Sequence, residues 1–102
     1  MRVLVTGASG FLGKAVVRAA AAAGHRVVAL VRPTADVSNL GWPDNVEIIK
    51  GDLRQMGAWR DHLDVDLVIH LAAAPSGDIA TQFAGTVQAT ENLLDSLQLR
   101  SL

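Results

Sequence analysis

One short segment, residues 5–13 (Val-Thr-Gly-Ala-Ser-Gly-Phe-Leu-Gly), constrains the fold of this chain more than any other. Its glycines, at positions 7, 10 and 13, separate a short apolar run from a segment of helical periodicity. At such a junction the first glycine permits a tight turn, the second leaves the helix N-terminus open, and the third allows close helix–sheet packing. The N–H groups and the dipole of that helix end attract a pyrophosphate.

This segment therefore predicts a loop that binds the phosphates of a dinucleotide. The predicted contacts are Gly7, Ser9, Gly10, Phe11, Leu12 and Gly13. The alternative interpretation is a glycine-rich turn that serves packing alone. A strand before the loop and an amphipathic helix after it favour the binding interpretation.

Short apolar runs alternate along the chain with segments of helical periodicity, which is typical of β-α-β units around a parallel sheet. Strands are predicted at 2–6, 26–31, 46–50 and 67–71. Helices are predicted at 10–23, weakly at 55–63, and after the N-cap Asp78 up to the C-terminus. The predicted fold class is α/β, a partial Rossmann-type doubly wound parallel sheet of four strands in order 3-2-1-4. Right-handed crossovers place the first and last helices on opposite faces.

Apolar spacing also predicts which helix positions face the core. In the first helix these are Leu12, Val16, Ala20 and Ala23, and Gly24 ends the helix. In the last helix they are Phe83, Val87, Leu94 and Leu97. Trp59 is predicted to lie in the core, and Trp42 to cover the edge of the sheet under its loop.

Composition excludes several functional classes. The chain has 102 residues, the size of one domain, and its net charge of −1 gives no field that favours nucleic acid or an anionic membrane. It contains no cysteine, so disulfides and thiolate chemistry are excluded, and its three histidines lack metal-ligand spacing. No apolar run approaches the ~20 residues of a membrane span or forms a signal peptide. We expect a cytoplasmic protein without a nucleic-acid or membrane partner.

The end of the second predicted strand indicates which dinucleotide is bound. An acidic residue about 20 residues after the loop binds the ribose 2′-hydroxyl of NAD, whereas an arginine accommodates the 2′-phosphate of NADP. Here the strand ends in Arg32, with no carboxylate beside it. A guanidinium binds a phosphate through two hydrogen bonds, so NADP is predicted over NAD. If Arg32 is only a solvated strand-end residue, NAD stays open as the alternative.

Three further segments resemble one known family. They are residues 51–53 (Gly-Asp-Leu), 66–73 (Asp-Leu-Val-Ile-His-Leu-Ala-Ala) and 90–95 (Thr-Glu-Asn-Leu-Leu-Asp). Together with the glycine loop they resemble the extended short-chain dehydrogenase/reductases, the NAD(P)-dependent epimerase/dehydratase family. The resemblance implies that Asp52 and the backbone amide of Leu53 hold the adenine ring. It also implies that the adenosine ribose and phosphates lie against the backbone at Leu71, Ala72 and Ala73.

The chain departs from the family pattern in several places. Thr86 stands where the family usually has Asn, and Ala89 stands where it has Gly. The family's Tyr-x-x-x-Lys and catalytic Ser/Thr normally lie beyond the point where this chain ends, and the chain contains no tyrosine. Residues 1–102 are therefore predicted to be one NAD(P)-binding domain that stops before the catalytic and substrate-binding segments.

Such a chain is expected to bind the dinucleotide but to catalyse nothing, with no catalytic residue and no metal of its own. In the full family member, hydride moves between the nicotinamide and a substrate carbon that bears a hydroxyl or carbonyl. The alternative function is an NADP-sensing regulatory module without catalysis. A third interpretation is a domain that binds no ligand.

The remaining candidates have structural explanations. His70 is predicted to hydrogen-bond neighbouring backbone, and Asp61, Asp64 and Asp66 to lie at a helix end and in a loop. Ser76 and Asp78 follow the fourth strand, where ligands bind in such sheets, but helix capping explains Asp78. Strand 67–71 would form an uncovered apolar edge, so self-association through it is predicted.

Overall fold

The computed structural model describes residues 1–38, 40–55, 57–71 and 89–101, with the side chains of the last helix through Ser96. Within these ranges, parallel strands form one sheet in the order β3-β2-β1-β4. The strands are β1 (Arg2–Thr6), β2 (Arg26–Val31), β3 (Glu47–Lys50) and β4 (Leu67–His70). The helices are α1 (Phe11–Ala22), a 3₁₀ helix (Ala58–His62) and α2 (Ala89–Ser101). The predicted Rossmann-type architecture and strand order are confirmed.

The register of the strands places their C-terminal ends at one edge of the sheet. Thr6 of β1 pairs with Leu30 of β2 and with His70 of β4. Val31, at the end of β2, pairs with Lys50 of β3. The segments that leave these strands therefore begin side by side, at the edge where parallel α/β sheets bind ligands.

Alternate residues of the central strands pack into two separate cores, one on each face of the sheet. Val5 and Ala29 lie in the core that includes Val17 of α1. Leu4 and Val28 lie in the core that includes Leu93 of α2. The two helices thus cover opposite faces, as predicted. Burial of each such valine or leucine contributes about 1.5–3 kcal/mol, so both helices are held chiefly by apolar packing.

The buried face of α1 differs by one position from the predicted one. Leu12 and Ala23 are exposed, whereas Gly13 and Val17 are buried. Because Gly13 lies directly against the backbone of Gly7, the helix is rotated so that positions 13 and 17, one turn apart, face the sheet. Two predicted positions are half-buried on this face, Val16 and Ala20.

The buried stripe of α2 also differs from the predicted one. Leu94 is 53% exposed, and Leu93 takes its place in the core at 2%. The stripe includes two polar residues, Asn92 and Ser96, which are 7% and 3% exposed. A pattern that counts only apolar residues assigns such positions to the solvent face, and it therefore selects the wrong leucine. Phe83 and Val87, and the side chain of Leu97, lie outside the described residues.

The connecting segments complete the two cores. The weak helix predicted at 55–63 is shorter, a 3₁₀ helix at Ala58–His62, and its Trp59 is buried as predicted. Trp42 packs half-buried on the α1 side of the sheet, where its indole N–H donates to the Lys14 carbonyl at 3.2 Å. Gly24, with φ of 91°, follows the end of α1 as predicted.

Candidate functional site

Backbone hydrogen bonds hold the loop between β1 and α1. Gly7 has φ of 65°, a conformation that side chains with a Cβ rarely adopt. Its carbonyl accepts the N–H of Gly10 at 3.1 Å. The N–H of Ala8 donates to the Leu30 carbonyl at 3.3 Å, which ties the loop to β2. The chain thus turns sharply from the end of β1 into α1.

The other two glycines of this loop both lie close to the Gly7 carbonyl oxygen. A Cβ at Gly13 would lie 2.1 Å from the Gly7 carbonyl oxygen, so only glycine fits there. A Cβ at Gly10 would lie 3.3 Å from the same oxygen, on the exposed side of the N-cap of α1. The first turn, Phe11 to Lys14, contains no acidic residue. Its peptide N–H groups and the helix dipole therefore favour an anion at this end.

The predicted loop contacts surround this helix end. Phe11 is 95% exposed and Leu12 59%, both at the start of α1, although apolar residues of this size are usually buried. Ser9 is half-buried in the turn itself. The structure thus brings together all six predicted loop residues at the C-terminal edge of the sheet.

The ends of β2 and β3 place an arginine near a carboxylate. Arg32 follows β2 directly and is exposed. The N–H of Gly51 donates to the Val31 carbonyl at 2.9 Å, which joins the two strand ends. Arg32 is also one of the positive charges that lower the pKa of Asp52. The predicted nucleotide-selecting residue and the predicted adenine-binding residue are therefore close neighbours.

Asp52 is held by a residue that the sequence analysis did not single out. The Arg54 side chain donates from Nε to Oδ1 and Oδ2 of Asp52, at 3.0 and 3.1 Å, and from Nη2 to Oδ2 at 2.8 Å. These hydrogen bonds, more than any other contact, lower the pKa of Asp52. The Asp-x-Arg spacing in the sequence is the signal that could have indicated this ion pair. Between them, Leu53 buries its side chain in the α2-side core, so it offers a ligand only its backbone.

A chain of hydrogen bonds fixes the end of β4. The His70 ring contacts the Thr6 hydroxyl through Nδ1 at 2.5 Å and the Thr90 hydroxyl through Nε2 at 2.9 Å. The Leu71 N–H donates to the Thr6 hydroxyl oxygen at 3.0 Å. A neutral imidazole has one donor and one acceptor nitrogen, and a threonine hydroxyl can complement either one. Burial lowers the pKa of His70, which favours this neutral form.

The prediction for His70 was correct about a structural role but wrong about its partners. The ring contacts two threonine hydroxyls, Thr6 on β1 and Thr90 on α2, instead of neighbouring backbone. These partners lie 64 and 20 residues away in the chain, so no local pattern indicated them. Other residues that the sequence analysis singled out lie outside the described residues, namely Ala72, Ala73, Ser76, Asp78 and Thr86.

Asp64 and Asp66 lie at the opposite edge of the sheet, where both contact Arg2 at the start of β1, and Asp61 lies in the 3₁₀ helix. Asp66 accepts the Arg2 N–H at 2.8 Å through Oδ2, and its own N–H donates to the Arg2 carbonyl.

The described part of the chain contains no cluster of three or more residues that could hold a metal ion. Among its helices, none is long and apolar enough to cross a membrane.

The sheet order and the glycine loop identify the class of fold, and a sequence comparison identifies the family. A parallel sheet in the order β3-β2-β1-β4, with a glycine loop between β1 and α1, is the Rossmann-type nucleotide-binding architecture. The model of the NAD dependent epimerase/dehydratase family matches residues 3–101. The chain therefore belongs to that family.

Individual relatives are similar over nearly all of this chain. Ketoreductase sphI of Aspergillus fumigatus is 43% identical over 99 residues, which is 90% of this chain and 30% of the relative. Sterol demethylase protein B of Methylococcus capsulatus is 41% identical over 98 residues, covering 92% of this chain and 30% of that protein. The chain thus spans less than a third of the length of these two relatives.

A solved structure gives the same result. UDP-glucose 4-epimerase of Thermus thermophilus, determined as a complex with NAD, superimposes with a TM-score of 0.79 and 28% identity. The match covers 97% of this chain and 34% of the epimerase. The similarity extends through the sheet and the helices that form the candidate site.

Proposed function

We propose that this chain binds a dinucleotide at the C-terminal edge of its sheet, with the pyrophosphate on the first turn of α1. The observation that carries this proposal is the helix end itself: Gly10 places no side chain at the N-cap, no side-chain cap bonds the first N–H groups, and the first turn has no acidic residue. Gly13 packs against Gly7 and is required by the fold alone, whereas a Cβ at Gly10 would lie 3.3 Å from the Gly7 carbonyl oxygen, a contact that a small shift can relieve. Membership of the family and the NAD complex of the Thermus relative support the proposal.

We further propose that NADP is preferred over NAD. Arg32 leaves β2 beside the start of the loop, where the adenosine ribose of a nucleotide on α1 would lie. A guanidinium there stabilises a 2′-phosphate through charge-assisted hydrogen bonds. Asp52 lies near Arg32, but it is already engaged by Arg54, so its negative charge is largely compensated.

The test is a calorimetric titration of NADP and NAD into the wild type and into Arg32→Asp. We expect the wild type to bind NADP about 10- to 100-fold more tightly, and the variant to lose that preference. Arg26→Asp is the matched control, because Arg26 is an exposed arginine at the other end of the same strand. Equal affinity of the wild type for both nucleotides would refute the proposed preference.

We propose that the 102-residue chain binds without turning over a substrate. The bound cofactor would supply hydride chemistry, but the chain contains no tyrosine to act as the acid/base of the family. Its relatives include a ketoreductase and a 4-epimerase, which supports a site for a reaction at a carbon bearing a hydroxyl or carbonyl. NADPH consumption by the pure chain in the presence of ketones or nucleotide sugars would contradict this proposal.

We also propose that the isolated chain self-associates through β4. In the described residues β4 pairs only with β1, and its Leu67 is 46% exposed. An unpaired apolar edge readily pairs with another strand. Light scattering should show a dimer or larger species that Leu67→Lys reduces. Ile48→Lys, on the opposite edge strand β3, is the control and should leave the association unchanged. A strictly monomeric wild type at high concentration would overturn the idea.

A further inference from the structure

A buried amide on α2 contacts the backbone of the candidate adenine site. Asn92 is only 7% exposed, and its side-chain Nδ2 donates to the Leu53 carbonyl at 2.8 Å. The two residues are 39 positions apart, so this contact crosses from α2 to the segment after β3. A buried amide destabilises the fold unless it is hydrogen-bonded, so the position of Leu53 and that of Asn92 depend on each other.

The helix that presents Asn92 is itself firmly held. Ser96, one turn later, donates its hydroxyl to the Asn92 carbonyl at 2.8 Å and accepts Nε of Arg60 at 3.0 Å. Ala89 and Leu93 bury their side chains in the core on the same face of the sheet. Asn92 therefore donates from a rigid element, and it can fix the segment that it contacts.

The same turn of α2 contacts a second candidate segment. Thr90, two residues before Asn92, hydrogen-bonds His70 at the end of β4. Through His70 and Thr6, this contact reaches the N–H of Leu71. One helical turn thus contacts both strand ends that the family resemblance connects with the nucleotide, Leu53 after β3 and His70 at the end of β4. The proposed dinucleotide binding does not by itself involve α2, but these contacts connect α2 with the site.

The contact with Leu53 fixes the direction of a backbone N–H. The Leu53 side chain is locked in the core, and its carbonyl is held by Asn92. With both ends of the residue fixed, the N–H of Leu53 and the carboxylate of Asp52 keep a constant relative orientation. Adenine has an amino donor next to a ring-nitrogen acceptor, and a carboxylate beside an N–H complements that pair.

We propose that Asn92 is a positioning residue for base recognition: it holds the Leu53 peptide so that the 52–53 segment selects adenine. The proposal rests on the proposed dinucleotide function. It predicts that loss of the Asn92 donor weakens binding and reduces discrimination between bases, although Asn92 does not touch the nucleotide.

The test compares NADP with its hypoxanthine analogue, which carries an oxygen in place of the 6-amino group. Asn92→Asp keeps the shape of the side chain but removes the Nδ2 donor, and Asn92→Ala serves if that variant does not fold. We expect NADP affinity to fall about tenfold and the preference for adenine over hypoxanthine to shrink by a similar factor. Ser96→Ala is the matched control, because Ser96 is a buried polar residue on the same helix whose hydroxyl contacts Arg60 and the Asn92 carbonyl. This variant should keep the preference.

The outcomes separate the two proposals. If the wild type binds neither nucleotide, the dinucleotide function and the role of Asn92 both fail. If the wild type binds and prefers adenine, but folded Asn92 variants keep that preference, only the role of Asn92 is refuted. A role confined to stability would lower the melting temperature in Asn92 and Ser96 variants alike and leave base preference unchanged.

Discussion

The loop after β1 and the segments after β3 and β4 lie at the same edge of the sheet, yet different physical causes fix their shapes. The first is shaped by the absence of side chains, since Gly7 adopts a positive φ and Gly13 touches its carbonyl. The other two are shaped by polar side chains on α2, a helix that is distant in sequence. Asn92 hydrogen-bonds Leu53, and Thr90 hydrogen-bonds His70.

This difference predicts which part of the site tolerates amino-acid substitutions. A steric contact between backbone atoms has no alternative geometry, because protein interiors are close-packed. A hydrogen bond between side chain and backbone contributes only about 0.5–1.5 kcal/mol net, and water can replace part of it. Substitutions in the glycine loop should therefore be far more damaging than those in the polar network. The following predictions test that ranking.

Gly13→Ala should have the largest effect. Its Cβ would lie 2.1 Å from the Gly7 carbonyl oxygen and 2.8 Å from Cα of Ala8, so the helix must move away from the sheet. We expect the free energy of unfolding to fall by about 3 kcal/mol, measured by urea denaturation. Gly57→Ala is the control, because a Cβ there meets nothing closer than 3.7 Å. A Gly13→Ala protein as stable as Gly57→Ala would contradict the steric argument.

Thr6→Val should come next, since it breaks the polar network at its most buried point. Thr6 is 0% exposed and its hydroxyl contacts both His70 and the N–H of Leu71. Valine has nearly the same shape, so the expected loss of about 2 kcal/mol reflects the hydroxyl alone. Thr90→Val removes the outer contact of His70 and should cost about 1 kcal/mol in the same denaturation assay. If the two variants are equally stable, the network is not organised around Thr6.

Gly10→Ala should separate binding from stability. A Cβ at this position would lie 3.3 Å from the Gly7 carbonyl oxygen, which a small shift can relieve. Stability should change by less than about 1 kcal/mol, whereas dinucleotide affinity should fall at least about tenfold, because the methyl group lies between the helix end and the pyrophosphate. Calorimetry and denaturation on the same sample measure both quantities. Unchanged affinity would mean that Gly10 serves packing alone.

The smallest effect should be the pH dependence that His70 contributes. Burial lowers its pKa in the folded protein, so the unfolded chain binds more protons near the ordinary histidine pKa of about 6.5. The stability associated with neutral His70 is therefore present above about pH 6.5 and is lost as pH falls through the lower, folded-state pKa. NMR titration of the His70 ring should give a midpoint below about 6.5. A midpoint above that value would contradict the proposed burial of a neutral ring.

The parts of the molecule that follow from local patterns could be predicted from the sequence. β1 and β2 have the predicted bounds, and the strand order is confirmed, because short apolar runs and right-handed crossovers leave few alternatives. The glycine loop was identifiable because its geometry depends chiefly on contacts among residues 7–13. The steric requirement at Gly13 acts entirely on residues 7 and 8.

The predictions that depend on distant partners were less successful. The predicted inner face of α1 wrongly included Leu12, because apolar periodicity gives no measure of how closely Gly13 approaches the Gly7 backbone. Leu94 was chosen over Leu93 because Asn92 and Ser96 look like surface residues, although both are buried and hydrogen-bonded across the fold. Each error concerns a polar or glycine residue whose role is set by contacts far along the chain.

If bare peptide N–H groups at the start of α1 bind the pyrophosphate, amide NMR during an NADP titration should detect it. We expect the largest chemical-shift changes at the amides of Gly10, Phe11 and Leu12, with smaller changes near Arg32 and Leu53. A titration that saturates with these three amides unmoved, or that shows no binding at millimolar NADP, would refute pyrophosphate binding at this helix end.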